Sequence, residues 1–429
     1  MSKAIVPEVP TGTAEPVLRR PTDWSTQASR RRTRRRYAAE RRFRVMGLAA
    51  VWLSVGFLVF LLASMLWQGV SGFTETRVAL PIELRLDITP DRVAGRSGDL
   101  ALAGAGLEGA VDAAATAAYG PGGAELLSDG AWLTVRDAVK ADPTLLSRRF
   151  IAQIPVAADI DVAAKGEGTP DAEAQFARLS RAGVTSRGFD IDFLTHADST
   201  DPTRVGIWGA LKGSLLTMAV TLLLAFPIGT FAALYLEEYA PRNRWTDLIE
   251  VSINNLAAVP SIIFGLLGLA VFLGTFHLPR SAPLVGGLTL ALMTMPVIVI
   301  AGRNAIKAVP PSIRDAALAV GASPVQVVFH HVLPLALPGI MTGTIIGMAR
   351  ALGETAPLLM IGMRAFIAAP PGGITDPATV LPVQIFLWSD EVSRGFIEKT
   401  SAAIIVLLVF LLAMNGLAIY LRNKFETRW

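Results

Sequence analysis

Arg350 and Glu354 are opposite charges four residues apart in an otherwise uncharged run, Met348-Ala349-Arg350-Ala351-Leu352-Gly353-Glu354-Thr355-Ala356-Pro357. On a helix that spacing puts both side chains on one face. A guanidinium offers a planar fork of donors that matches an oxyanion. A carboxylate one turn away can orient that fork and offset part of its charge. Such charges are costly inside a membrane unless they face a cavity or a partner. Two roles fit. The pair either joins helices and nothing more, or Arg350 lines the route of an anion that must be attracted without being trapped. On the same segment Gly339, Gly343, Gly347 and Ala351 recur every four residues. That stripe predicts a close helix contact, not chemistry.

A second polar stretch, Arg303 to Pro334, lies between apolar runs. Pro310 and Pro311 break what precedes them. Ser312 with Asp315 has the form of a capping box, and Ala316, Ala317, Leu318 and Ala319 are mostly small helix formers. Gly321 is suited to a helix C-terminus. Ser323 and Pro324 suit the cap and first position of another short helix, which Leu333-Pro334 is expected to end. A small, alanine-faced helix held clear of the membrane is shaped to enter a groove on another protein.

These residues resemble the coupling loop of ABC importer permeases, whose pattern is Glu-Ala-Ala, three residues, Gly, nine residues, Ile, one residue, Leu-Pro. Asp315-Ala316-Ala317, Gly321 and Leu333-Pro334 fit that spacing, with Asp315 in place of Glu and His331 in place of Ile. The run Arg350 to Leu359 further resembles the PstA family of phosphate permeases, over about residues 205–425. The resemblance implies transport of inorganic phosphate. It also implies pairing with a homologous permease (PstC-like), a dimer of ATPase subunits (PstB-like) and a periplasmic phosphate-binding protein (PstS-like). It assigns Arg350, Glu354 and Thr355 to the substrate pathway, and Asp315, Ala316, Ala317, Gly321, Leu333 and Pro334 to ATPase coupling.

The elements that must position these residues follow from composition. Of 429 residues, 52% are hydrophobic and 17% charged, and mean hydropathy is +0.48, a membrane-protein composition. The chain has no cysteine, four histidines and no GxxxxGK[ST] run, so it does not bind ATP through a P-loop; if transport is ATP-driven the ATPase is another polypeptide, and no cofactor is expected. Residues 1–45 read as a basic tail, with eleven Arg from Arg19 to Arg44 against Asp23 and Glu40. Beside a membrane segment, such a run signals retention in the cytoplasm more than nucleic-acid binding. Met46 to Trp67 is uncharged and long enough to cross a bilayer of about 30 Å. Its length argues against a cleaved signal peptide.

Residues 69–206 carry 13 Lys and Arg against 20 Asp and Glu, a net of −7, with no run long enough to span. They are expected to form a small α/β-type extracytoplasmic domain, with a strand near Arg77 to Ile88 and a helix from Asp171 to Arg181. Five further spans are expected in residues 207–425: Gly213 to Leu236, Val251 to about Leu273, about Leu284 to Gly302, about Leu335 to Gly362, and Thr400 to Leu421. Met363 to Lys399 reads as an outer loop with a short re-entrant or surface helix. The result is an all-α polytopic inner-membrane protein of six transmembrane helices, one plus five. Both termini and the 303–334 loop fall in the cytoplasm. It is a transport subunit rather than an enzyme. A permease for sulfate or molybdate remains open, as does a sensory protein built around the acidic domain.

Overall fold

The computed structural model describes residues 26–84, 86, 88, 93 and 95–425. Residues 1–25 of the basic tail, and parts of the expected strand beyond Leu84, lie outside these. The chain divides after Ala63 into two units. The first contains most of α1 (Gln27–Val70), where the arginine run and the apolar run form one uninterrupted helix.

In the second unit, β1 (Thr74–Glu83) is the centre of a three-stranded antiparallel sheet of order β2-β1-β3. It pairs with β2 (Arg149–Pro155) from Arg77↔Pro155 to Glu83↔Arg149, and with β3 (Thr185–Phe189) from Thr74↔Phe189 to Val78↔Thr185. Pro81 lies past the end of β3, where its missing N–H leaves no gap in a ladder. Val78, Leu80 and Ile82 alternate onto one face and are fully buried. They pack with Leu107 and Val111 of α3 (Leu107–Tyr119), Val135 and Val139 of α4 (Ala131–Ala141), Ile160 of α5 (Ala158–Ala164) and Leu179 of α6 (Pro170–Arg181). Another helix, α2, covers Gly95–Gly104. The expected helix is α6, opened by Pro170 after Thr169, whose hydroxyl caps the Ala172 amide.

The membrane part begins after α7 (Ile191–Thr195) with α8 (Trp208–Leu234). Among the described residues five helices are long and apolar enough to cross a membrane, or up to six if a bent pair counts as one span. That pair corrects the expected span Val251 to Leu273. It is α9 (Arg244–Ala257) followed by α10 (Ser261–Gly268), which continues as a π-turn to Thr275, with a 100° bend between them. Asn243 caps α9 through the amides of Trp245 and Thr246. Pro260 lacks an amide proton and disfavours helical backbone at Val259, so the chain turns there.

The next helix, α11 (Pro283–Lys307), packs between α8 and α14 (Leu333–Gly353). The small-residue stripe of α14 meets it: a Cβ on Gly343 would come 2.1 Å from that of Ala301, while Gly339 faces Ala305 and Gly347 faces Thr294. This is the close packing expected of those positions. The bundle is completed by α15 (Ala356–Met360), α16 (Leu381–Ser389) and α17 (Arg394–Phe425). The short helix expected within Met363 to Lys399 is α16, with Leu381, Val383, Gln384 and Trp388 buried.

Candidate functional site

At one end of the bundle the polar 303–334 stretch is tied down by arginines. Arg303, in the last turns of α11, reaches Glu250 at 2.8 Å and Glu237 at 3.4 Å. α12 (Pro311–Ala319) follows. Its N-cap is Pro310, with no side-chain cap, so the capping box expected of Ser312 and Asp315 does not form. Pro311 already occupies the first helical position, which carries Ser312 past the cap. Arg314 does the anchoring instead. It donates to Glu238 at 2.6 Å and to the carbonyls of Val309 at 2.7 Å and Ile306 at 3.0 Å, which ties α12 to the ends of α8 and α11.

The far end of α12 closes as the sequence suggests. Gly321 has φ +89°, its amide donates to Leu318 O, and the Ala322 amide donates to Ala317 O. This is a Schellman closure that a Cβ would strain. Ala317 is buried against the bundle, whereas Asp315, Ala316, Leu318, Ala319 and Val320 are exposed. Ser323 and Gln326 form the reciprocal capping box of α13 (Pro324–Gln326). Leu333-Pro334 does not end the following helix. A π-turn over Val327–Val332 carries it directly into α14, so residues Pro324–Gly353 run as one helix. The wider turn makes room for the Pro334 ring, which would otherwise press on the carbonyl one turn back. His330, His331, Ile313, Ala316 and Val320 line an open groove of about 550 Å³ beside Pro334.

Arg350 and Glu354 meet, Nε to Oε1 at 3.3 Å, but they do not share a continuous helix. The expected span to Gly362 breaks at Glu354, the C-cap of α14, whose backbone is extended. Pro357 explains the break, since its missing amide cannot serve the Gly353 carbonyl and its ring crowds it. Thr355 then stands at the N-cap of α15. Glu354 is mostly covered, whereas the Arg350 side chain is 47% exposed, so the guanidinium keeps donors free. The broken segment is seated by Gly265 of α10, where a Cβ would fall 2.6 Å from Pro357 Cα. The structure therefore brings Arg350 and Glu354 together, with Thr355 next in the chain but without a side-chain bond to either, and keeps them apart from the 303–334 stretch at the other end of α14.

A third polar cluster escaped the sequence reading. Lys165, nearly fully buried, bridges Asp161 at 2.7 Å and Glu398 at 2.6 Å. Asp161 also accepts the Thr76 amide at 2.7 Å. Next in the chain, Lys399 pairs with buried Asp190, donates to Gly72 O at 3.0 Å and lies 5.0 Å from the centroid of the Phe193 ring. Asp190 in turn caps α7 through the Phe193 amide. These two bridges bolt the sheet domain to the first turns of α17. Beside them, burial and the nearby Asp190 push the Glu75 carboxyl up from 4.5 to about 7, only partly opposed by Arg77. The one local signal was the adjacent Glu398-Lys399 before an uncharged span. Their partners stand 233 and 209 residues away in the chain.

Residues 225–427 match the family described as "Binding-protein-dependent transport system inner membrane component", and residues 30–174 match a "Domain of unknown function (DUF3333)". The probable ABC transporter permease protein YqgI of Bacillus subtilis (strain 168) is 31% identical over 262 residues, covering 56% of this chain and 87% of that protein. This chain belongs to the ABC transporter permeases. The permease is also 29% identical to the phosphate transport system permease protein PstA of Haemophilus influenzae, covering 52% of this chain and 78% of that one. It is 36% identical to PstA 1 of Mycobacterium tuberculosis (strain ATCC 25618 / H37Rv) over 36% of this chain and half the length of that relative. Among solved structures, the MetNI methionine ABC transporter in an inward-facing conformation aligns over 52% of this chain and 98% of that one, at 17% identity and a TM-score of 0.42. On the family match and the curated relatives, the permease is a multi-pass inner-membrane transport subunit of PstA-like type.

Proposed function

We propose that this permease is the PstA-type subunit of an ATP-driven importer for inorganic phosphate. It forms the translocation pathway together with a homologous permease. A separate ATPase dimer binds the 303–334 loop, and a phosphate-binding protein delivers the anion on the opposite face. In this reading the basic 1–45 tail, the loop and both termini are cytoplasmic, 46–68 is the first span, 69–206 is extracytoplasmic, and 207–425 is the permease proper.

The observation that carries the substrate assignment is the Arg350–Glu354 pair at the break of α14. Arg350 is held by one contact and keeps its remaining donors open, which suits transient binding of an oxyanion. The exposed strip of α12, backed by Ala317 and closed at Gly321, is the part that enters the ATPase. Closing of the ATPase dimer on ATP pulls α12. Arg314 carries the pull to the ends of α8 and α11, and the continuous helix Pro324–Gly353 carries it to Arg350. The pathway opens outward to receive phosphate and reopens inward after hydrolysis.

Uptake of phosphate, sulfate and molybdate in cells lacking this chain tests the reading. Selective loss of phosphate uptake is expected, with Arg350→Gln failing to restore it although the complex still assembles. Loss of a different anion moves the substrate, and full uptake with Arg350→Gln removes Arg350 from the pathway.

A further inference from the structure

Among the described residues two non-glycine positions have left-handed backbone, His277 (φ 52°) and Ser281 (φ 58°), and both lie in the connection from α10 to α11. Such backbone persists only where its surroundings enforce it, and it clusters at sites of function. The enforcing contacts are clear at Ser281. Its buried hydroxyl donates to the Gly362 carbonyl at 2.5 Å, and its own carbonyl accepts the Ala378 amide at 2.8 Å. His277 has Nδ1 at 2.9 Å from Thr275 O.

The consequence is the placement of Arg280. Its side-chain carbons lie 3.7 Å from where a Cβ would stand on Gly362, a glycine with φ +92°, and Arg364 follows two residues on. Both arginines are exposed, and neither makes an ion pair or a side-chain hydrogen bond among the described residues. The carboxylate carried by the same wrap of loops, Asp376, has Oδ2 occupied by the amides of Gly372 and Gly373, each at 2.9 Å. Two guanidinium groups with no ion-pair partner among the described residues are thus carried at the α10–α11 end of the bundle, Arg280 on the strained connection and Arg364 on the segment after α15 that this connection ties down through Ser281. Arg280 and His277 line an open groove of about 420 Å³ there. Arg364 is ten residues beyond Glu354, joined to it through α15.

We propose that Arg280 and Arg364 form an oxyanion-receiving rim at the outer mouth of the pathway, which captures phosphate as the binding protein opens and passes it inward to Arg350. The inference rests on the phosphate-permease reading and adds a step ahead of Arg350. Two guanidinium groups suit a tetrahedral oxyanion that presents several acceptors. Their exposure keeps binding weak enough for release.

The test uses the complete transporter in proteoliposomes, with inorganic phosphate and its loaded binding protein. Arg280→Gln/Arg364→Gln is compared with Arg280→Lys/Arg364→Lys. The glutamine pair should leave unchanged the binding-protein concentration that half-maximally stimulates ATP hydrolysis. Phosphate moved per ATP should fall about tenfold or more, the loss expected for one charge-assisted hydrogen bond. The lysine pair should recover most of the wild-type ratio. A raised half-maximal concentration with an unchanged phosphate-to-ATP ratio would make the rim a docking surface for an acidic protein face and overturn the proposal, as would no change at all. A wild-type transporter that moves sulfate or molybdate but not phosphate overturns the substrate reading instead, and the rim is then judged on that anion by the same two readouts.

Discussion

The two ends of the bundle are tied by ion pairs of different character. At the α12 end, Arg303 and Arg314 hold Glu237, Glu238 and Glu250; Glu250 is open to solvent and the other side chains are mostly covered, though less so than at the domain end. At the domain end, Lys165–Glu398 and Lys399–Asp190 are almost dry, with no side chain in either pair more than 8% exposed. Pairs in contact with water are worth little individually and can re-form with other partners at low cost. A dry pair cannot be opened without stranding a charge. In the proposed mechanism the α12 end is the part that moves, and the dry bridges make the sheet domain a fixed extension of α17.

The largest effect that could break this contrast is expected at Lys399. Lys399→Met strands the buried Asp190 carboxylate and should cost about 3–5 kcal/mol. Protease resistance of the sheet domain in the purified full chain reports it, and Asp190→Asn in the same chain should restore most of the loss. A Lys399→Met chain as resistant as wild type would show that the bridge is not a bolt.

Glu75 sharpens the same point through pH. Its carboxyl is held near 7 in the fold against an ordinary 4.5. Between those values the folded domain keeps a proton that the unfolded chain releases, so stability falls as pH rises through that window and levels off above it. At about 1.4 kcal/mol per unit the full swing is about 3.5 kcal/mol, of which about 2–3 kcal/mol falls between pH 5 and pH 8. Protease resistance of the full chain at pH 5 and pH 8 measures it, and Glu75→Gln should flatten the difference.

At the opposite end the effects are smaller in stability and larger in coupling. Gly321→Leu places a side chain at φ +89° and should cost about 1–2 kcal/mol, with loss of ATPase co-purification as the sharper readout. Unchanged co-purification would remove the loop assignment. Arg314→Ala should cost about 1–3 kcal/mol, because it leaves the mostly covered Glu238 and the carbonyls of Val309 and Ile306 without their donor, and it should reduce substrate-stimulated ATP hydrolysis, because α12 then loses its tie to α8 and α11. Normal stimulation would break the proposed line of force.

The same contrast governs what could be read from the chain. Gly321, Ser323 and Pro324 act on backbone within a few residues, so their caps were legible. Ser312 misled because Pro311 ahead of it had already set the helix start. The bend at Pro260 was hidden inside an uncharged run, since hydropathy reports apolarity and carries no direction. The break after Gly353 was available from Pro357, four residues on, but the helical spacing of Arg350 and Glu354 pointed the other way. Their contact survives because an extended residue at the helix end still reaches back one turn. The bridges to Glu398 and Lys399 join distant parts of the chain, and no local pattern announces them.

The chain contains no cysteine, so a single Val320→Cys, at a position 85% exposed on the end of α12, gives a unique attachment point. A short cross-linker at that cysteine in the assembled transporter is predicted to capture the ATPase subunit, with a yield that changes when ATP is added. No ATPase adduct at Val320, with an adduct instead from Leu100→Cys in the sheet domain, would place the ATPase at the wrong end and contradict the account.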